Sequence, residues 1–129
     1  MLQEDMAKYK DLYLQTAKAY LTNIEENVSA LLLDQNNTEA VKHVLLDAHS
    51  LKSQSLLMKF DNIGHLCEVI EKICRANVDQ KMKLDINMLI LIQNSSRKMI
   101  DALAEIEKND RDFDLTDETN KLKNYLPSS

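Results

Sequence analysis

The sequence predicts an all-α chain folded as an antiparallel up-and-down four-helix bundle, with a short fifth helix able to form at the C-terminus. Two observations carry this. Among 129 residues there is one glycine and one proline, too few for the tight turns of a sandwich or barrel. The apolar residues, 44% of the chain, recur at the three- and four-residue spacing that lays one stripe along a helix. A chain of this length makes one domain and buries a core without staples.

The first helix is expected from Glu4 to Leu33, with Tyr9, Tyr13, Ala17, Tyr20, Ile24, Val28 and Leu31 on one face. Asp34-Gln35-Asn36-Asn37 is a turn, and Asn36 with Glu39 has capping-box spacing for the next helix. That second helix carries Val41, Val44, Ala48, Leu51, Ser55 and Met58 inward. Asp61 or Asn62 can cap a third helix, whose face is Ile63, Leu66, Ile70, Ile73 and Cys74. After the polar stretch Asn77–Leu84, Asp85 can cap a fourth helix with Leu89, Ile92, Ser96, Met99, Leu103 and Ile106 inward. Glu107–Asp114 is charged and aperiodic, a linker or a fraying end. Leu115–Leu126 can form the fifth helix, with Leu115, Leu122 and Leu126 on one side. The bundle is accordingly set at residues 1–108, and the linker with the short helix at 109–129. Short connections between long amphipathic helices imply antiparallel neighbours.

Charge and composition exclude several classes of function. The net charge is −5 with no basic block, which argues against a nucleic-acid partner. The longest apolar run, Met88–Ile92, is far short of the roughly 20 residues a membrane span needs. Because that run is apolar all round, the C-terminal helix or a second subunit must cover part of it, and the helix is the simpler cover for a monomer. Met1-Leu2-Gln3-Glu4-Asp5 has neither the cationic start nor the apolar segment of a signal peptide. Cys67 and Cys74 lie two turns apart on one helix, about 10 Å between Cα atoms, beyond disulfide reach. The chain reads as cytoplasmic and reduced, and its methionines as core filler.

Most catalytic patterns are missing. Gly64 is the only glycine, so no Gly-rich phosphate loop exists. His43, His49, His65 and the two cysteines lack zinc-ligand spacing. Ser50 and Ser55 have no accompanying oxyanion motif. Ala48-His49-Ser50-Leu51-Lys52 is different. Ala48 and Leu51 are core positions, so His49 falls at the margin of the stripe, half in and half out. Lys52 lies one turn further on, within reach of whatever His49 carries. Imidazole, with an ordinary pKa of about 6.5, is a neutral nucleophile at cellular pH. A phosphoryl group on it would bring negative charge that an ammonium offsets. A boundary histidine bonded to a neighbouring helix is the competing explanation, since His and Lys at this spacing also occur by chance.

The run Ala48-His49-Ser50-Leu51-Lys52-Ser53-Gln54-Ser55, followed by Phe60, Ile63, Leu66 and Ile70-Glu71, resembles the signature of histidine-containing phosphotransfer (HPt) domains. It is most similar to the N-terminal phosphotransfer domain of chemotaxis-type histidine kinases, over roughly Tyr9 to Glu107. The resemblance implies an all-α bundle with the His-x-Leu-Lys segment on the second helix. It makes His49 the phosphoacceptor through Nε2, Lys52 the cation that offsets the phosphoryl charge, and Glu71 the acceptor that orients the ring through Nδ1–H. Ser50, Ser53 and Leu56 then fall on the surface that meets a partner. The implied partners are a response-regulator receiver domain and a sensor histidine kinase. The chain needs no cofactor of its own, since Mg²⁺ would come on the partner.

Three positions depart from the family pattern. Ser53 replaces the glycine after the lysine, where a low helix surface lets a receiver approach. Lys59 replaces the glycine that ends the second helix, giving up a C-cap but placing a cation at the negative end of the dipole. Glu68 stands where chemotaxis relatives often have a second histidine. With no ATP-binding feature, the chain would be a carrier, either a stand-alone relay protein or a fragment of a larger kinase. Two alternatives stay open at this level: a degenerate bundle of this fold that binds a receiver or kinase without phosphotransfer, and an unrelated helical oligomer.

Overall fold

The computed structural model describes residues 2–127, with side chains from Met6 onward. Met1, with which the N-terminal stretch begins, and Ser128 and Ser129 at the end of the tail lie outside the described residues. Five helices follow one another: α1 Leu2–Leu33, α2 Thr38–Leu57, α3 Asp61–Val78, α4 Ile86–Asn109 and α5 Thr116–Lys123. α1 packs on α2 and α4, α2 packs on α3, and α5 lies across α3 and α4. Lys10 near the start of α1 pairs with Asp110 just past the end of α4, and Glu25 further along α1 pairs with Arg97. The two helices therefore run in opposite directions, as the short loops require of the other neighbours.

The core follows the predicted stripes closely. Every inward position named for α3 and α4 is buried, as are Val41, Val44, Ala48, Leu51 and Ser55 of α2. Each fully buried Leu or Ile, such as Ile70, stabilises the fold by roughly 1.5–3 kcal/mol relative to exposure. The first helix departs from its stripe. Tyr9 is 60% exposed, because it lines an open groove beside Leu57 and Met58 at the end of α2 and is not covered by it. Leu14 and Leu21 are buried instead, since a helix facing both α2 and α4 needs a wider apolar face than one stripe. Tyr20 is half-buried at the rim of the core.

Helix starts also differ from expectation. α2 is capped by Asn37, whose Oδ1 accepts from Ala40 N–H at 3.1 Å. Asn36 instead donates its N–H to Asp34 Oδ1 within the turn. α3 begins after Phe60 with no side-chain cap of its own. Asn62 N–H, one of the orphan donors of that first turn, reaches Asp112 Oδ2 from the α4–α5 connection at 3.3 Å, and Asn62 Nδ2 donates to the same oxygen at 2.8 Å. An anion distant in sequence thus does the work expected of Asp61 or Asn62. Asp85 caps α4 as predicted, accepting from Met88 N–H at 2.8 Å.

The aperiodic charged stretch divides. Glu107–Asn109 complete α4, and the connection beyond them is held down by the Asn62–Asp112 bonds and by half-buried Phe113. Fully buried Leu115 and Leu122 seat α5 on the bundle, with Leu126 half-buried behind them. Within Met88–Ile92, Met88, Leu89 and Ile92 are buried and Leu91 lies beside Lys121 and Tyr125 at the α5 end. Ile90 remains 41% exposed.

Glycine is absent from the helix ends. α2 closes with Phe60 N–H on Ser55 C=O at 2.8 Å and Lys59 N–H on Leu56 C=O at 3.1 Å, the paired bonds of a Schellman motif. The C-cap expected to be lost with the family glycine therefore forms, with Lys59 at φ 66°. The single glycine sits inside α3. A Cβ on Gly64 would lie 2.5 Å from Leu56 Cδ2, so its bareness lets Leu56 fold down over α3.

Left-handed backbone costs an L-residue about 1–2 kcal/mol, so Lys59→Gly is expected to raise the unfolding free energy by about 1 kcal/mol. Urea denaturation should show a higher midpoint at unchanged slope; an unchanged or lower midpoint would show that Lys59 carries no strain. Asn62→Ala is expected to speed amide hydrogen exchange in α5 before it does so in α2 or α3, and undiminished protection of α5 would make the clamp dispensable.

Candidate functional site

The site is built across the seam between α2 and α3. Fully buried Ala48 and Leu51 fix the rotation of α2, which leaves His49 and Lys52, the next residue after each, on the flank toward α3. Glu71 follows fully buried Ile70 on α3. His49 Nδ1 lies 3.0 Å from Glu71 Oε2. An ionised carboxylate can only accept, so the proton of this bond belongs to Nδ1, and in the neutral ring the lone pair is then on Nε2. The His49 side chain is 55% exposed and that of Glu71 only 9%. One edge of the ring is anchored in the protein while half of its surface meets water.

Glu71 has two further partners. Lys52 Nζ approaches Oε1 to 2.7 Å, and because this enclosed oxygen has no hydrogen-bond partner among the described residues, the contact is an ion pair that falls short of aligned hydrogen-bond geometry. Arg75 Nη2 donates to Oε2 at 3.1 Å. Burial opposes ionisation of Glu71, but Lys52, His49 and Arg75 together outweigh it and draw the carboxyl down from its ordinary 4.5 to about 2. The carboxylate stays charged at any physiological pH. Arg75 was not among the sequence candidates. Its signal was an acid followed four residues later by a base, the favourable order for a helix pair, but that spacing is too common to mark a site.

The remaining candidates sit as follows. Exposed Ser53 donates its hydroxyl to His49 C=O at 3.1 Å, folding back onto its own helix. Ser50 is half-buried. Leu56, 36% exposed, lies over Gly64. Glu68 pairs with Lys72 at 3.1 Å, on its own helix, rather than with a residue of the His49 group. His43 faces Glu39 at 4.0 Å, away from the cluster. Ser55 is buried in a 2.7 Å bond with Tyr13. Burial pushes both thiols up, that of Cys74 to about 12 with Glu71 adding to the effect, so neither ionises readily. Among the described residues, no three His, Cys, Asp or Glu side chains gather as metal ligands, and no helix is long and apolar enough to cross a membrane.

Because the folded-state pKa of Glu71 is depressed, the stability it contributes is fully present above about 4.5 and is lost as pH falls toward about 2. Glu71→Gln is therefore expected to melt below wild type at pH 7, with the gap closing through that acid range. A gap that does not change with pH would mean the carboxylate charge contributes nothing.

The Hpt domain family model matches residues 8–109. Two relatives are chemotaxis proteins CheA. That of Bacillus subtilis is 28% identical over 83 residues, which is 63% of this chain and 12% of the relative. That of Borreliella burgdorferi is 24% identical over 117 residues, 89% of this chain and 13% of the relative. The chain thus spans about an eighth of the length of the curated relatives it matches. No solved structure matches. Since the family pattern runs from the second turn of α1 to the last residue of α4, this chain belongs to the Hpt domain family.

Proposed function

We propose that the domain is a phosphoryl carrier of a two-component relay, with His49 as the phosphoacceptor. The single observation that carries this is the 3.0 Å contact between His49 Nδ1 and nearly buried Glu71 on a ring that is half exposed. With the proton on Nδ1, the Nε2 lone pair attacks phosphorus of a receiver's aspartyl phosphate, or of ATP held by a kinase. The new N–P bond forms as the P–O bond breaks, and its electron pair leaves on the carboxylate or on ADP. The ring keeps its Nδ1 proton and becomes cationic, beside a carboxylate already ionised to receive that charge. Transfer back to an aspartate reverses these steps.

Lys52 is the cation for the phosphoryl oxygens, one helical turn from His49. Positioning and charge compensation dominate phosphoryl transfer, so the carrier needs little machinery beyond these three residues. The Mg²⁺ belongs to the partner receiver or kinase. A receiver would seat over Ser50, Ser53 and Leu56, and the folded-back Ser53 hydroxyl keeps that surface low. The groove between Tyr9, Leu12 and Thr16 of α1 and Gln54, Leu57 and Met58 of α2 adds apolar area beside it. The domain acts in the cytoplasm as a monomer, in a chemotaxis-like pathway.

His49→Gln is expected to abolish phosphorylation by a phosphorylated receiver or by a kinase with ATP while helical circular dichroism stays near wild type. Intact mass should show one added phosphoryl group on wild type, lost in acid and stable in base. Loss of folding in the variant would make His49 structural and reject the assignment. Glu71→Ala is expected to slow transfer by about 10²-fold, the lower scale for loss of a proton-positioning group, with the acceptor site retained. Unchanged kinetics would remove Glu71 from the mechanism.

A further inference from the structure

Glu71 has more positive charge around it than orienting one imidazole requires. Among the described residues its enclosed Oε1 is paired with Lys52 alone, while its Oε2 is shared between His49 and Arg75 at 3.0 and 3.1 Å. The two cations differ in where they are attached. Lys52 is on α2 with His49, three residues along, and its side chain is 21% exposed. Arg75 is on α3 with Glu71, four residues along, and is 57% exposed. A phosphoryl group on His49 brings a charge of about −2 within one turn of Lys52. The ammonium then faces two competing anions and a single chain on which to reach them.

When Lys52 turns to the phosphoryl oxygens, the nearly buried carboxylate loses its Oε1 partner at the moment when it must balance a cationic ring. An unpaired carboxylate in such a site is unfavourable and would turn away or take up a proton. Arg75 cannot follow the phosphoryl group from its own position on α3 without leaving Glu71, so its charge stays beside Oε2, four residues along the same helix. We infer that Arg75 is a positioning residue, the standing counter-cation that keeps Glu71 ionised and aimed at His49 Nδ1 while Lys52 is exchanged between Glu71 and the phosphoryl group. This role rests on the reading of His49 as phosphoacceptor. It assigns the two cations separate tasks, one mobile and one fixed, and it predicts that Arg75 matters more in the phosphorylated domain than in the free one.

The test uses the whole 129-residue chain, labelled with ¹⁵N, before and after loading with potassium phosphoramidate, which needs no protein partner. The readout is the exchange of the His49 Nδ1 proton with water, together with the ring ¹⁵N shifts. In the phosphorylated state, Arg75→Gln is expected to exchange this proton about tenfold faster than wild type, the scale of one charge-assisted hydrogen bond. In the free state the two should differ by less than about twofold, because Lys52 still holds Glu71. Arg75→Lys, which keeps the charge and the helical spacing, should restore slow exchange. Equal acceleration in both states would reduce Arg75 to an ordinary structural partner and overturn the inference, as would no acceleration in either, or failure of the lysine variant to rescue. Failure of wild type to take up phosphate on His49 would instead overturn the carrier reading itself, and this role with it.

Discussion

A charged carboxylate set into the contact between two helices governs this site. Glu71 is nearly buried, and a buried charge is tolerated only where opposite charges and hydrogen bonds replace the water it has lost. α2 supplies His49 and Lys52, and α3 supplies Arg75. The requirement reaches into the packing, because these groups meet only if the two helices keep one register and one rotation. Ala48 and Leu51 on one side and Ile70 on the other hold that rotation from beneath. All four residues of the cluster therefore stand on α2 and α3, and none on a loop.

The same seam explains where the only glycine is found. Elsewhere in the chain, left-handed helix ends are borne by Lys59, Gln80 and Asp110, at some cost in strain. Gly64 is kept inside a helix, where Leu56 closes over it. Close approach of α2 and α3 takes precedence over comfortable helix ends, and the histidine–glutamate contact lies further along that same pair of helices. The connection after α4 contributes from the other side, with Asp112 meeting the first turn of α3 and α5 covering α3 and α4.

A phosphoryl carrier need not bind nucleotide or metal. It needs a nucleophile exposed on one edge, fixed on the other, and neutral before reaction. In the carrier reading proposed above, His49 meets the first two conditions through its contact with Glu71, which also fixes which ring nitrogen carries the proton. On the role inferred above for Arg75, the division of the surrounding cations between α2 and α3 separates the charge that can move with the cargo from the charge that stays.

The helices, their inward faces and the general place of His49 were legible in the sequence, because helix period and the scarcity of breakers are local properties. Ala48 and Leu51 mark a core stripe, and His49 and Lys52 follow from it by rotation alone. The family pattern marked Glu71 as well. Local rules could not show that Tyr9 would be left mostly uncovered, since that depends on how the end of α2 lies beside it. They placed the cap of α3 on Asp61 or Asn62, whereas the anion that serves it, Asp112, lies 50 residues away. They also passed over Arg75, whose spacing from Glu71 is ordinary on any helix. The sequence by itself determined which segments are helical and which face of each is apolar. Only the tertiary structure decided which polar groups meet at the α2–α3 seam, because a buried charge selects its partners by distance in space and not by separation along the chain.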